Sequence, residues 1–222
     1  GGSMSIEILL ISTQAARGVA SHFNDSTPLD TAVYAVMGIT ITISSLVVAY
    51  VLWRVVRNSP DIAPAYLWGI GIGMFVFVIA SFEGWLMASQ GGHGVGIAND
   101  APGLPLINWS ITGGDLRVAH FIGLHALQVV PLAGYMLSRW ETLSTRNSVI
   151  AVNVVGILYS GITVVTFIQA ILGHPLVTSV IAPWLPPSLG AGALLIGSVG
   201  ATLWLASTWY RPERTTSSAS VE

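Results

Sequence analysis

One stretch decides how this chain folds: residues 113–131, which read GGDLRVAHFIGLHALQVVP. It begins as a polar turn and continues as an apolar helix, yet it carries five polar or ionisable side chains: Asp115, Arg117, His120, His125 and Gln128. Only 8% of the 222 residues are charged, so polar chemistry is concentrated here. Ionisable groups within or beside a membrane span are costly to bury, and they therefore mark a candidate functional site.

The composition of the whole chain is that of an integral membrane protein. Hydrophobic residues make up 53% of it and the mean hydropathy is +0.73, whereas a soluble domain carries about a quarter charged residues. The chain has no cysteine, which excludes disulfides, thiolate catalysis and iron–sulfur clusters. All eight basic residues are arginines, so a retinal Schiff base on lysine is excluded. The net charge of −2 gives no reason to expect a nucleic-acid partner.

Hydropathy predicts five membrane-spanning helices, each long enough for the roughly 20 residues that cross a hydrocarbon core. Polar turns separate them, and the longest connection is a glycine- and proline-rich loop at residues 89–114. The predicted spans are residues 31–56, 65–88, 115–139, 148–172 and 189–209. The predicted fold class is therefore an all-α integral membrane protein, a bundle of five transmembrane helices within residues 31–210.

The two ends of the chain are interpreted separately. Residues 1–3 look like an expression scar before Met4. Residues 4–30 are predicted to form an amphipathic helix on the membrane surface and a loop, because apolar residues recur at helical spacing: Ile8, Ile11, Ala15, Val19 and Phe23. A cleaved signal peptide is the alternative, but Glu7 and the lack of a basic residue at the start disfavour it. Residues 211–222 are predicted to be a disordered cytoplasmic tail.

The arginines predict the orientation. Six of the eight fall on one side of the five-span arrangement, and only Arg17 and Arg117 fall on the other. The positive-inside rule then puts the N-terminus outside and the C-terminus in the cytoplasm. The expected location is the bacterial cytoplasmic (inner) membrane. The lipid bilayer is the first expected partner, with a homo-oligomer or a redox partner protein as further candidates.

Three of the predicted spans bring polar groups to a similar depth. With a rise of about 1.5 Å per residue, His125 lies about 5 Å outward of the midplane, Glu83 about 10 Å and His120 about 12 Å. Gln169 of the fourth span has a similar depth. His120 and His125 are five residues apart, about 140° around a helix, so the two rings face different directions. A carboxylate at the depth of Glu83 needs a partner or a proton.

These groups receive candidate roles. Asp115 is expected to cap the third span, and Arg117 is expected to anchor that helix at the interface or to hold an anionic substrate. The candidate catalytic residues are Glu83, Asp115 and Arg117. The candidate metal ligands are His120, His125 and, from the overhanging loop, His93. The candidate cofactor-binding residues are Gln128 and Gln169.

Three functions remain open on this pattern. The leading expectation is a site for haem b or a transition metal ion (copper, iron or zinc), because neutral imidazoles are common ligands. The protein would then be a membrane-bound oxidoreductase. The second is a membrane-embedded acid–base or metal-dependent enzyme for a small or lipidic substrate, with Glu83 and a histidine exchanging protons. The third is a non-catalytic binding or transport protein, which the lack of internal repeats disfavours.

Several blocks resemble those of a bacterial family of multi-spanning membrane proteins without a characterised activity. The blocks are SFEG at residues 81–84, GLP at 103–105, NWS at 108–110, GDLRVAHF at 114–121 and GLHALQ at 123–128. A later block, residues 169–176, is similar except at His174, where another polar residue is expected. The resemblance runs from the second to the fourth span. It implies that the 89–114 loop and the third span belong together, and it implies no activity.

Overall fold

The structure is a computed structural model, and it describes residues 2–176. Within that range the chain is mostly helical, with five helices and one pair of two-residue strands. The elements are α1 (Gly2–Ala16), α2 (Pro28–Asn58), α3 (Pro64–Ser89), β1 (Gly94–Val95), β2 (Gly114–Asp115), α4 (Leu116–Ser138) and α5 (Thr145–Ile171). The predicted fifth span, residues 189–209, and the predicted tail, residues 211–222, lie outside the described residues.

Helices α2 to α5 are each long and apolar enough to cross a membrane. Each coincides with one predicted span to within a few residues, so the multi-pass helical architecture is confirmed for the first four spans. Local chemistry explains where the helices begin. Thr27 caps α2 by accepting the N–H of Asp30, and Ser144 caps α5 by accepting the N–H of Asn147. Proline at the first position of α2 and of α3 has no N–H to leave unpaired.

Small residues allow α3 and α4 to approach closely. A Cβ atom at Gly69 would lie 2.8 Å from the carbonyl oxygen of Val130, and one at Gly73 would lie 2.6 Å from the carbonyl oxygen of Ala126. In a membrane, where apolar lipid competes for apolar surface, helix association depends on such close packing. These contacts show that α3 and α4 run antiparallel, so the end of α3 lies beside the start of α4.

Two apolar clusters hold the helices together. The first lies between α3, α4 and α5 and consists of Ala65, Val76, Ala126, Val130, Val149 and Val152. The second lies where the 89–114 loop meets the helix ends and consists of Met87, Leu116 and Ala170, with Phe23, Val95 and Phe167 packed against them. The second cluster joins the loop and the segment after α1 to the ends of α3, α4 and α5. This cluster therefore holds the loop in place beside the start of α4, where Asp115 and Arg117 lie.

Helix α1 packs on α2 through its polar side. The buried side chains of α1 are Glu7 and Gln14. Ile8 and Leu9 are instead 62% and 64% exposed. The helix also ends at Ala16, before the last two residues of the predicted apolar stripe. The apolar side of α1 is thus its outer side.

The polar groups that α2 presents to α1 explain this arrangement. The hydroxyl of Thr40 donates to Glu7 Oε2 at 3.1 Å, and the Gln14 side-chain amide donates to Asp30 Oδ1 at 3.0 Å. Arg17 pairs with the same carboxylate oxygen at 2.7 Å. Buried polar groups need such partners. Residue numbers of the bonded partners increase along α1 while they decrease along α2. The two helices are therefore antiparallel. Helix α1 therefore lies along a candidate span, and its predicted place at the membrane surface stays a prediction.

Candidate functional site

The carboxylate of Asp115 organises the start of α4. It is buried, and it caps the helix by accepting the backbone N–H of Arg117 at 3.0 Å. The guanidinium of Arg117 donates to both carboxylate oxygens, at 3.0 and 2.7 Å. The backbone N–H of Ser110 donates to the same group at 2.9 Å. One carboxylate therefore fastens both the helix start and the returning loop.

These donors keep Asp115 ionised. Burial would raise the pKa of this carboxyl, but the nearby His93 ring, together with the two donors, the Arg117 guanidinium and the Ser110 N–H, holds the pKa well below its ordinary value. Arg117 also donates to the backbone carbonyl of Asn108. The predicted capping role of Asp115 is confirmed. The contacts of the Asp115 and Arg117 side chains are with the loop and with the start of α4. A catalytic role for either residue stays a prediction.

The 89–114 loop folds back on the helix ends as a built structure. Strand β1 pairs with β2, with Gly94 opposite Asp115. The N–H of Leu116 donates to the carbonyl of His93 at 3.0 Å, and the side-chain oxygen of Asn99 accepts the N–H of His93 at 3.0 Å. The loop and α4 therefore form one unit, as the resemblance to the bacterial family implies.

The side chain of His93 lies inside this unit. It is buried, and its Nδ1 lies 3.3 Å from Asp115 Oδ1, although in a geometry that falls short of a hydrogen bond. Its ring faces Phe23 with 6.4 Å between the ring centroids. His93 thus packs between the helix cap and the segment after α1, away from the position expected of an overhanging ligand.

Glu83, near the end of α3, is a buried carboxyl that has no hydrogen-bond partner among residues 2–176. The residue is 8% exposed, and its Oε2 atom receives no donor from the described part of the chain. No histidine or arginine within residues 2–176 forms an ion pair with it. The sequence indicates that a carboxylate at this depth needs a partner or a proton, and the described part of the chain offers Glu83 no direct partner.

His120, on α4, reaches the turn of α3 that carries Glu83. Its Nδ1 lies 2.8 Å from the carbonyl oxygen of Ala80. A Cβ atom at Gly84 would lie 3.0 Å from Cε1 of the ring. Since a carbonyl can only accept, Nδ1 carries the proton and donates, and Nε2 of the neutral ring keeps its lone pair. Glu83 and His120 thus lie at one level of adjacent helices, as the depth estimate predicts.

His125 lies on a different side of α4. Its ring is exposed, stacks on Phe121 at 4.1 Å between centroids, and its Nδ1 lies 2.8 Å from the Phe121 carbonyl oxygen of its own helix. Gln128, expected to bind a cofactor, is exposed on the same side. The expectation that the two histidines of this helix face apart is confirmed.

Gln169, the other expected cofactor-binding residue, has a local partner. Its side-chain amide donates to the carbonyl oxygen of Pro175 at 2.9 Å. This bond holds the chain that leaves α5 against the end of the helix. A cofactor contact for Gln169 stays a prediction.

The three expected metal ligands do not converge. His93 faces Asp115, His120 contacts α3, and His125 stacks on Phe121. Within residues 2–176 there is no group of three or more His, Asp or Glu side chains that could hold a metal ion. Haem or metal binding therefore stays a prediction without a ligand cluster in the described part of the chain.

The sequence interpretation missed the part that residues 7–34 play here. The ring of His22 lies 3.9 Å from Glu7, and Phe23 packs on Tyr34 with 5.7 Å between centroids. Burial lowers the pKa of His22, and the neighbouring Glu7 carboxylate partly opposes that shift. One signal was available. Glu7 is a charge inside an apolar helix, the same property that singles out Glu83.

No family model matches the chain, and no curated protein or solved structure matches it. The resemblance of the polar blocks to a bacterial membrane family therefore stays a prediction.

Proposed function

We propose that the protein is a membrane-embedded acid–base enzyme whose reacting pair is Glu83 and His120. The observation that carries the proposal is the buried carboxyl of Glu83, which has no partner within residues 2–176 and lies at the level of a histidine of fixed tautomer. Acid–base catalysis needs a group that holds a proton and a group that can take one. The chain has neither cysteine nor lysine, so its reactive groups are those of histidines, carboxylates and hydroxyls.

Glu83 is suited to hold and release a proton. An ionised carboxylate in its surroundings would be an unpaired buried charge, which is costly. The proton therefore leaves at low cost only when another group compensates the charge. A buried carboxyl without donors is a typical feature of catalytic acids.

His120 is suited to take the proton. The bond from its Nδ1 to the Ala80 carbonyl orients the ring and leaves Nε2 as the basic atom. Glu83 and His120 form no direct ion pair, so a bound molecule would pass the proton between them. In this proposal Glu83 is the general acid and His120 the general base for a small or lipidic substrate.

The location of this site within the cell is part of the proposal. The bias of the arginines supports an outer position for the start of α2 and a cytoplasmic C-terminus. The Glu83–His120 pair then works in the outer half of a bacterial cytoplasmic membrane. A homo-oligomer or a redox partner protein stays a prediction.

Infrared spectroscopy on the full chain in lipid tests the acid. A protonated carboxyl in an apolar environment gives a carbonyl band separate from those of ionised carboxylates. We expect this band in the wild type at neutral pH and its loss in Glu83→Gln. The matched control is Glu7→Gln, which alters a buried carboxylate that has a hydroxyl partner, and which should retain the band.

Nitrogen NMR of labelled histidine tests the pairing. If Glu83 and His120 share a proton, Glu83→Gln shifts the pH at which His120 titrates, whereas Glu7→Gln acts mainly on His22. A wild-type spectrum without a protonated carboxyl band, or an unchanged His120 titration in Glu83→Gln, would refute the proposed acid–base pair.

A further inference from the structure

A tight hairpin in the 89–114 loop comprises residues 103–110. At its base Gly103 and Ser110 form an antiparallel bridge. Next to them, the N–H of Leu104 donates to the carbonyl of Trp109 at 2.8 Å. The hairpin is therefore a fixed element that projects from the loop.

The tip of this hairpin is apolar and exposed. The side chain of Leu106 is fully exposed and that of Ile107 is half-exposed. Leu106 also has a φ of 72°, in the left-handed region that leucine rarely adopts. The N–H of Ile107 donates to the carbonyl of Pro105 at 2.9 Å and helps to fix the tip. Large apolar side chains held outward in this way indicate a contact surface.

The base of the hairpin contacts the exposed face of α4 near the start of that helix. The Asn108 carbonyl accepts from the Arg117 guanidinium, and the Trp109 ring packs edge-on against Phe121 with 5.7 Å between centroids. Phe121 is half-exposed and lies five residues into α4, about 7 Å along the helix. Helix α4 is long and apolar enough to cross a membrane, and in such a span a contact this close to the helix start falls near the membrane interface. Tryptophan is enriched at that depth.

We propose that hairpin 103–110 dips into the leaflet at which α4 begins, with Leu106 and Ile107 among the upper parts of the lipid acyl chains. The occupant of this apolar tip is thus the lipid of the membrane that the protein itself spans. The tip residues 105–107 carry no charge, so their insertion into lipid does not require a charged group to lose its hydration. The hairpin backbone stays at the hydrated headgroup level, where unpaired N–H and C=O groups find water. This inference does not depend on the proposed acid–base function.

Depth-dependent fluorescence quenching tests the proposal on the full chain. The chain has no cysteine, so the variants Leu106→Cys and Asp100→Cys each have one thiol. An environment-sensitive fluorophore is attached to that thiol. Asp100 is an exposed residue of the same loop, outside the hairpin. In phosphatidylcholine vesicles with nitroxide-bearing acyl chains, we expect the label at position 106 to emit at shorter wavelength and to be quenched several-fold more than the label at position 100.

Two outcomes would overturn the proposal. Equal quenching of both labels by aqueous iodide would show that the tip stands in water. A label at position 106 shielded from both iodide and nitroxide lipid would show that protein, such as a second copy of the chain, covers the tip. Ile107→Cys repeats the measurement with Leu106 intact, so the test does not depend on one variant folding. Each variant is compared with the wild type by circular dichroism and elution volume first.

Discussion

The ring of His120 lies directly on the backbone of Gly84 across the α3–α4 interface. A Cβ atom at Gly84 would lie 3.0 Å from Cε1 and 3.5 Å from Nε2 of that ring. The lack of a side chain at this position leaves room for the bond between Nδ1 and the Ala80 carbonyl. A substitution at Gly84 can therefore displace the His120 ring without replacing any ionisable residue.

Gly84→Ala should displace the His120 ring at a small cost in stability. Alanine favours a helix over glycine by about 1 kcal/mol, and crowding of the ring costs about 1–3 kcal/mol. We expect a net loss of about 1 kcal/mol in thermal unfolding, together with changed His120 nitrogen shifts. The matched control is Gly71→Ala, because a Cβ there meets nothing within 4 Å. Unchanged His120 shifts in Gly84→Ala would contradict the described contact.

Asp115→Asn should weaken the fold and reduce its sensitivity to acid. Burial raises the pKa of this carboxyl, but the donors around it prevail and hold the pKa below its ordinary value. The unfolded chain therefore binds the proton first as the pH falls. The stabilisation by Asp115 is complete above its ordinary pKa of about 4 and is lost below it. At neutral pH we expect the substitution to cost about 2 kcal/mol.

Thermal unfolding in detergent between neutral pH and about pH 3 measures this effect. The wild type should lose stability on acidification more steeply than Asp115→Asn. The control is Asp100→Asn, which changes an exposed carboxylate of the same loop. Parallel pH curves for the wild type and Asp115→Asn would mean that Asp115 is not the acid-sensitive anchor.

Cysteine labelling should find the 89–114 loop outside the cell and the turn before α5 inside. Asp100 and Thr145 are both exposed, so their cysteine variants are suitable sites. Ser110 is unsuitable because it is buried and its hydroxyl accepts the N–H of Gly113 at 3.0 Å. A membrane-impermeant maleimide on intact cells should label position 100 alone. Labelling of position 145 alone would reverse the orientation.

Metal and haem analysis decides between the two leading functions. The sequence predicts that His125 binds haem or a metal ion, with His120 as a second ligand or as the neighbour that handles protons. The test measures bound metal by mass spectrometry and haem by absorbance in wild type, His120→Ala and His125→Ala expressed with iron, copper and zinc. Since the two rings face apart, we expect no stoichiometric metal or haem. Stoichiometric binding that His125→Ala abolishes would instead support the redox function.

The spans could be predicted from the sequence because hydropathy and length are properties of a single segment. The level shared by Glu83 and His120 was predictable for the same reason, since depth follows from residue counting along each helix. Side-chain contacts between helices are a different matter. That His120 rests on Gly84 and bonds to Ala80 depends on how α3 and α4 rotate against each other, which no single segment determines.

Helix α1 and the hairpin at residues 103–110 illustrate what could not be predicted. The apolar spacing of α1 is real, but which face is buried depends on the partner. The partner helix presents Asp30 and Thr40, so the polar face is buried. The hairpin depends on a leucine in a left-handed conformation at Leu106, which propensities disfavour.

The polar seam between α1 and α2 has a consequence for the entry of the chain into the membrane. Glu7 and Gln14 are synthesised first, and in lipid they would have no partner until Thr40 and Asp30 follow. Polar groups without partners are strongly disfavoured there. The two helices should therefore insert together as a helical hairpin, each making the other soluble in lipid. Insertion of α2 into the membrane then depends on α1 as well as on α2 itself.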